Sequence, residues 1–250
     1  MKTDMPKFIW ISASPSLKYF HRRLLNSLSK VVELEFWEYY QKLDEGSSLD
    51  GGIQLLHEYL ATLATPIHLI GHGVGGVIAL GYARMYPAQI ASLTLLSVAV
   101  QPAIDWHSYY YTQWRSAPTN RDCILKSIAS SLFPDACSIH IRDLVGRLER
   151  DLVESPSSNS LFRLDILEEG SVTMPLMVCG SQDDSVISSP ALYGWRNYLK
   201  PTDKIWQSAT GGHFFHHFCA AAVSDRIQQF WHLNRIACSA AIDCRDYQHL

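Results

Sequence analysis

Leu69-Ile70-Gly71-His72-Gly73-Val74-Gly75-Gly76 is the stretch on which the fold turns. It stands between an apolar run that predicts a strand over 66–70 and a pattern that predicts a helix from about Gly76 to Met85. Glycines at 71, 73, 75 and 76 let the chain turn sharply from one to the other. A glycine-rich turn at a helix N-terminus can also cradle phosphate. Two features oppose that use here. The turn lacks a Lys-Ser/Thr pair, and it falls in the third strand–helix unit, whereas dinucleotide-binding turns sit in the first.

Outward from this turn, short apolar runs alternate with helical patterns. Strands are expected at Lys7–Ser12, Val31–Trp37, Ile90–Val98, Met174–Cys179 and Lys204–Ser208. Helices are expected at Ser16–Ser29, from a cap at Asp50 along Ile53, Leu56, Leu60 and Leu63, around Ala191–Leu199, and from near His216 to Leu233. Residues 101–171 hold helical patterns and Pro-Ser breaks without a convincing strand. Strands alternating with helices imply a parallel sheet. The expected fold is α/β: about six mostly parallel strands flanked by helices, with a helical insertion after the fourth. Residues 1–100 and 172–235 would form the core, 101–171 a cap and 236–250 a C-terminal tail.

The 250-residue chain is long enough for a full core in one domain, and 18% of its residues are charged, with a formal net charge of −3. Neither the charge nor any Lys/Arg cluster suggests nucleic acid as a partner. No stretch approaches the roughly 18 apolar residues of a membrane span. The apolar run Phe8 to Ile11 is too short for a signal peptide. Cysteines at 123, 137, 179, 219, 238 and 244 include no CxxC pair, which fits reduced thiols and a cytoplasmic location, with Cys238–Cys244 the one pairing considered. A monomer or homodimer with a small-molecule ligand or substrate is expected.

The turn at 71–75 has the form of a nucleophile elbow, Gly-x-Ser-x-Gly, with Gly73 at the serine position. Downstream, Pro175-Leu176-Met177-Val178-Cys179-Gly180-Ser181-Gln182-Asp183-Asp184 ends a strand in a carboxylate-bearing loop, and Gly211-Gly212-His213-Phe214 precedes the last helix. Elbow, acid and histidine in that order resemble the α/β-hydrolase superfamily from Lys7 to about Leu233. The resemblance implies Asp183 as the acid, with Asp184 the alternative, and His213 as the base. It implies an oxyanion hole from the Val74 N–H and a donor near Ala13 or Ser14, although Ser12-Ala13-Ser14-Pro15 lacks the family's frequent His-Gly. The family's two leading antiparallel strands are missing from the pattern.

The resemblance also implies that 101–171 caps the site. Trp106, Tyr110 and Trp114 fall at i, i+4 and i+8 and are expected to line a mostly apolar pocket with His72, opposed by a wall of Phe214, Phe215 and Phe218. Residues 152–160 form a candidate hinge. With Gly73 in place of the nucleophile, three uses stay open: a binding protein on a hydrolase scaffold, an enzyme that uses the Asp183–His213 dyad as a general base, and residual hydrolysis through water. A metal held by His213, His216 and His217 with Asp183 is set aside, because the hydrolase pattern already accounts for His213; no cofactor and no metal are expected.

Overall fold

A computed structural model describes residues 7–42, 44–46, 48–63, 66–116, 120–134 and 138–246. Six strands, β1 (Phe8–Ser12), β2 (Leu34–Glu38), β3 (Ile67–His72), β4 (Ile90–Leu96), β5 (Leu176–Ser181) and β6 (Lys204–Ser208), form one sheet in the order β2-β1-β3-β4-β5-β6. Every neighbouring pair is parallel. β1, β3 and β5 are buried throughout and mostly apolar, because helices cover both faces of a parallel sheet; the polar exceptions are His68 and His72 in β3 and the terminal Ser12 and Ser181. The edge strand β2 is only half-buried, and Phe36 in its middle is exposed.

Strand order reverses at β1: the chain passes to β2 on one side, then crosses to β3 on the other. Loops leaving the C-terminal ends of β1 and β3 therefore diverge and open a crevice between them. Ser14 and the elbow stand at its two lips.

On one face, α2 (Leu49–Leu60), α3 (Gly73–Met85) and α7 (Ser189–Tyr193) pack on the sheet; the buried side chains of α4 (Trp106–Ser116), α5 (Arg121–Leu132) and α6 (Ser138–Glu154) join the same core, with α5 lying against α4 and α6, and α6 against the turn after β1. On the other, α1 (Arg22–Leu28), α8 (Phe215–Phe218) and α9 (Ala220–Asp246) cover Phe8, Trp10, Ile70, Leu96 and Met177. The three helices α4–α6 are the insertion between β4 and β5, and among the described residues of 101–171 there is no strand. No described helix is long and apolar enough to cross a membrane.

Several boundaries differ from expectation for local reasons. Ser48, not Asp50, caps α2, its hydroxyl accepting the Gly51 N–H at 3.0 Å, while Asp50 sits in the first turn, where its charge favours the helix dipole. The helix expected over 16–29 divides into a 3-10 turn, Pro15–His21, and α1. That expected around 191–199 divides into α7 and a 3-10 turn, Gly194–Asn197. The last helix is interrupted at Cys219 and α9 then continues to Asp246, past residue 235. Cys137 and the Cys238–Cys244 pairing lie outside the described side chains.

The start of α3 is set by contact. A Cβ on Gly75 would lie 2.4 Å from the Ile11 carbonyl oxygen, so the helix rests directly on the end of β1. Gly75→Ala should lower stability by about 1–3 kcal/mol in urea denaturation. The matched control is Gly146→Ala in α6, where a Cβ meets nothing within 4 Å; it should raise stability by about 0.5–1 kcal/mol.

Candidate active site

β3 runs through His72 and α3 begins at once with Gly73, three residues earlier than the apolar pattern predicts. Gly73 has φ +51°, in the left-handed region, which costs a non-glycine residue about 1–2 kcal/mol. The glycines around it answer to crowding: a Cβ on Gly71 would fall 2.6 Å from the Gly76 Cα, and one on Gly76 would fall 2.6 Å from a Val98 methyl. Gly73 answers to none. A Cβ there meets only the His213 Nε2 atom, at 3.9 Å. A side chain at 73 would thus point at the histidine across open space.

His213 lies in a 3-10 turn, Gly212–Phe214, entered through two positive-φ glycines, Gly211 (+115°) before it and Gly212 (+59°) at its start. Its Nδ1–H donates to Asp184, with Oδ2 at 3.0 Å and Oδ1 at 3.2 Å. This corrects the expected acid. Asp183 is exposed and holds the loop instead: its carboxylate accepts the N–H groups of Gly211 (3.2 Å) and Gly212 (2.9 Å) and the Ser181 hydroxyl. Partial burial pushes the Asp183 carboxyl up, but those three hydrogen bonds outweigh it and hold the group below its ordinary value.

Asp184 is buried, and its Oδ1 also accepts the N–H groups of Val186 (2.8 Å) and Ile187 (3.0 Å). The Ser97 hydroxyl stands 3.0 Å from both Asp184 Oδ2 and the His213 carbonyl. Ser97 has φ +48°, the one positive value among the described non-glycine residues. With Nδ1 donating, a neutral His213 presents its Nε2 lone pair toward Gly73.

Ser14, Leu17, His21, His72, Gly73, Val74, Trp106, His213 and Phe214 line a small cavity above the elbow, of about 10 Å³, room for roughly one water. Of the residues singled out from sequence, Ser14, His72, Gly73, Val74, Trp106, His213 and Phe214 meet here. Tyr110 and Trp114 do not: they pack farther along α4. Ala13 is buried in the core beside the site rather than lining it. Phe215 belongs to the core on the opposite face and Phe218 is only partly buried, so of the expected phenylalanine wall only Phe214 reaches the cavity, stacked on Phe133 at 4.6 Å.

Two polar centres carry no sequence signal. Asp151, embedded among the charges of α6, is fully buried and accepts from Trp106 Nε1 (2.8 Å), Ser16 (3.2 Å), His107 Nε2 (3.3 Å) and Ser14 (3.4 Å). His21 looks like one more residue of an amphipathic helix. Burial drives its imidazole down to about 3, with His217 adding to the effect. Burial likewise holds His72 and His216 well below the ordinary value, helped by the neighbouring imidazoles. Among the described residues, those whose nitrogens approach closely enough for a metal are His21, His72 and His216, rather than His213, His216 and His217.

In sequence the chain is 45% identical to the uncharacterized protein alr2406 of Nostoc sp. over 228 residues, 91% of each chain. It is 37% identical to the uncharacterized protein sll0249 of Synechocystis sp. over 223 residues, 89% of each. The chain belongs to their family. No protein-family model matches it. A putative carbamate hydrolase, RutD, of Variovorax paradoxus is 26% identical over 159 residues, covering 58% of this chain and 59% of that protein.

Among solved structures, an esterase from Thermogutta terrifontis superposes with a TM-score of 0.65 at 15% identity, covering 92% of this chain and 90% of that one. An epoxide hydrolase from Bacillus megaterium gives 0.63 at 14% identity, covering 91% and 93%. Likeness at this identity establishes the fold, and the family therefore has the α/β-hydrolase fold.

The two adjacent carboxylates should differ sharply when removed. Asp184→Ala strands His213, Ser97 and two backbone N–H groups, and should cost about 3–5 kcal/mol in urea denaturation. Asp183→Ala, in a solvated loop, should cost about 1 kcal/mol.

Proposed function

We propose that this protein holds a small, largely apolar or aromatic molecule between the elbow and the helical insertion, which serves as its cap, and that it does not perform covalent serine-hydrolase chemistry. The observation that carries this is the residue opposite His213 Nε2. Gly73 offers no hydroxyl for the imidazole to deprotonate. Loss of the nucleophile from a working triad lowers turnover by roughly 10⁶.

The walls suit such a ligand. Leu17, Val74, Trp106 and Phe214 supply apolar surface, and Ser14, His72 and His213 supply a few polar tips. The closed cavity admits about one water, so a ligand enters by displacing the insertion. Ser14 and Trp106 are the lining residues tied to Asp151, and they must move or exchange partners when it does.

The intact His213–Asp184 pair favours a second reading, in which the dyad acts as a general base on the bound molecule. A carboxylate with four donors around it, one from a serine held at positive φ, is more support than an idle histidine requires.

Fluorophosphonate labelling and p-nitrophenyl ester hydrolysis test the first claim. The wild-type chain should show neither above background, and robust labelling would overturn it. Gly73→Ser should cost about 1–2 kcal/mol of stability, from the left-handed backbone alone. Its hydroxyl falls within hydrogen-bond reach of His213, so esterase activity gained by the folded variant shows the dyad and oxyanion donors to be serviceable. A folded but inactive variant locates the deficit in the donors, where the Ser14 hydroxyl is turned toward Asp151.

A further inference from the structure

Three histidines from separate parts of the chain meet beneath the cavity. His21 ends the turn after β1, His72 ends β3, and His216 lies in α8. One ring nitrogen of each lies within 4.8 Å of the other two. His21 Nδ1 and His216 Nε2 are 3.0 Å apart, and the ring of His72 is centred 4.4 Å from that of His216. All three are buried.

Hydrogen bonding accounts poorly for this arrangement. The three rings share one mutual hydrogen bond, between His21 and His216, and none joins His72 to either of them among the described residues. Converging imidazole nitrogens are, however, what a borderline metal ion takes as ligands.

We propose that His21, His72 and His216 form a site for a divalent ion of the zinc type, with its fourth position open to the cavity above Gly73. Metal–nitrogen bonds of about 2.0–2.1 Å place tetrahedral ligand atoms about 3.3 Å apart. The 3.0 Å pair must open slightly and the wider pairs must close, which small rotations of the rings accomplish. His21 and His72 themselves line the cavity, whose volume of about 10 Å³ matches one water as the fourth ligand. His72 Nε2–H donates to the His213 carbonyl at 3.0 Å, the kind of outer hydrogen bond that metal-bound imidazoles make. The metal set aside from sequence used His213 and His217; only His216 is common to both sets.

The test uses the purified full-length chain, stripped by a chelator and titrated with zinc by calorimetry and with cobalt(II) by visible absorption. One equivalent of zinc, a raised thermal midpoint and the d–d bands of a tetrahedral cobalt site are expected, and azide should perturb those bands through the open position. His21→Ala and His216→Ala should each weaken zinc binding about 100-fold or more, whereas His232→Ala, on the exposed side of α9, should not change it. Because the buried variants risk unfolding, X-ray absorption on the zinc-loaded wild-type chain decides independently: three imidazoles and one light atom are expected. Absence of stoichiometric uptake, sulfur in the coordination shell, or unchanged affinity in a folded His21→Ala overturns the site. Bands indifferent to azide overturn the open position.

Discussion

The seat of α3 on the ends of β1 and β3 is the contact on which the site depends. Gly75 lets the helix rest on the Ile11 carbonyl, and Gly71 and Gly76 let strand and helix backbones touch at the turn. Any side chain at these positions would lift α3 away from the sheet, and with it the first-turn N–H groups and the crevice wall. The elbow glycines are therefore a packing requirement, and they persist whether or not chemistry is performed above them. Gly73 is different in kind. Nothing crowds it, and only its left-handed backbone favours glycine there.

That distinction explains what was legible in the sequence. The strand–turn–helix context and the order elbow, acid, histidine are set by local patterns, and these led to the six parallel strands, the helices after the fourth, and His213. The identity of the acid is not local. Asp183 and Asp184 are neighbours, and which one turns inward depends on where the N–H groups of Gly211 and Gly212 arrive from a distant loop. The aromatic stripe meets the cavity at one end only, for a reason of length. Trp106 and Trp114 share a helix face but stand about 12 Å apart along it, and a cavity the size of one water reaches only the first. Asp151 was hidden because a buried carboxylate in a charged amphipathic helix has the same letters as a solvated one.

Asp151 also determines how the insertion is held. It joins α6 to α4 through Trp106 and His107, and to the turn after β1 through Ser14 and Ser16. No Lys or Arg contacts it among the described residues, so the buried charge depends on neutral donors and on His107. Such a carboxylate is stable only while those donors stay in place. Two of the residues supplying them, Ser14 and Trp106, form part of the cavity wall. The cavity wall and the attachment of the insertion therefore share the same two side chains.

His213 is constrained from every side. Asp184 fixes its Nδ1, His72 and Ser97 approach its carbonyl, and Asp183 fixes the two glycines before it. The constraints come from three elements: Asp183 and Asp184 from the loop after β5, His72 from the end of β3 and Ser97 from the end of β4. A site that had merely lost its nucleophile and decayed would first lose such redundancy, because no one of these contacts is needed for the sheet to form. Here the redundancy is kept, including a serine held at positive φ. The result is an imidazole held from several elements, with its Nε2 directed toward Gly73 and with His21 and His72 lining the same cavity.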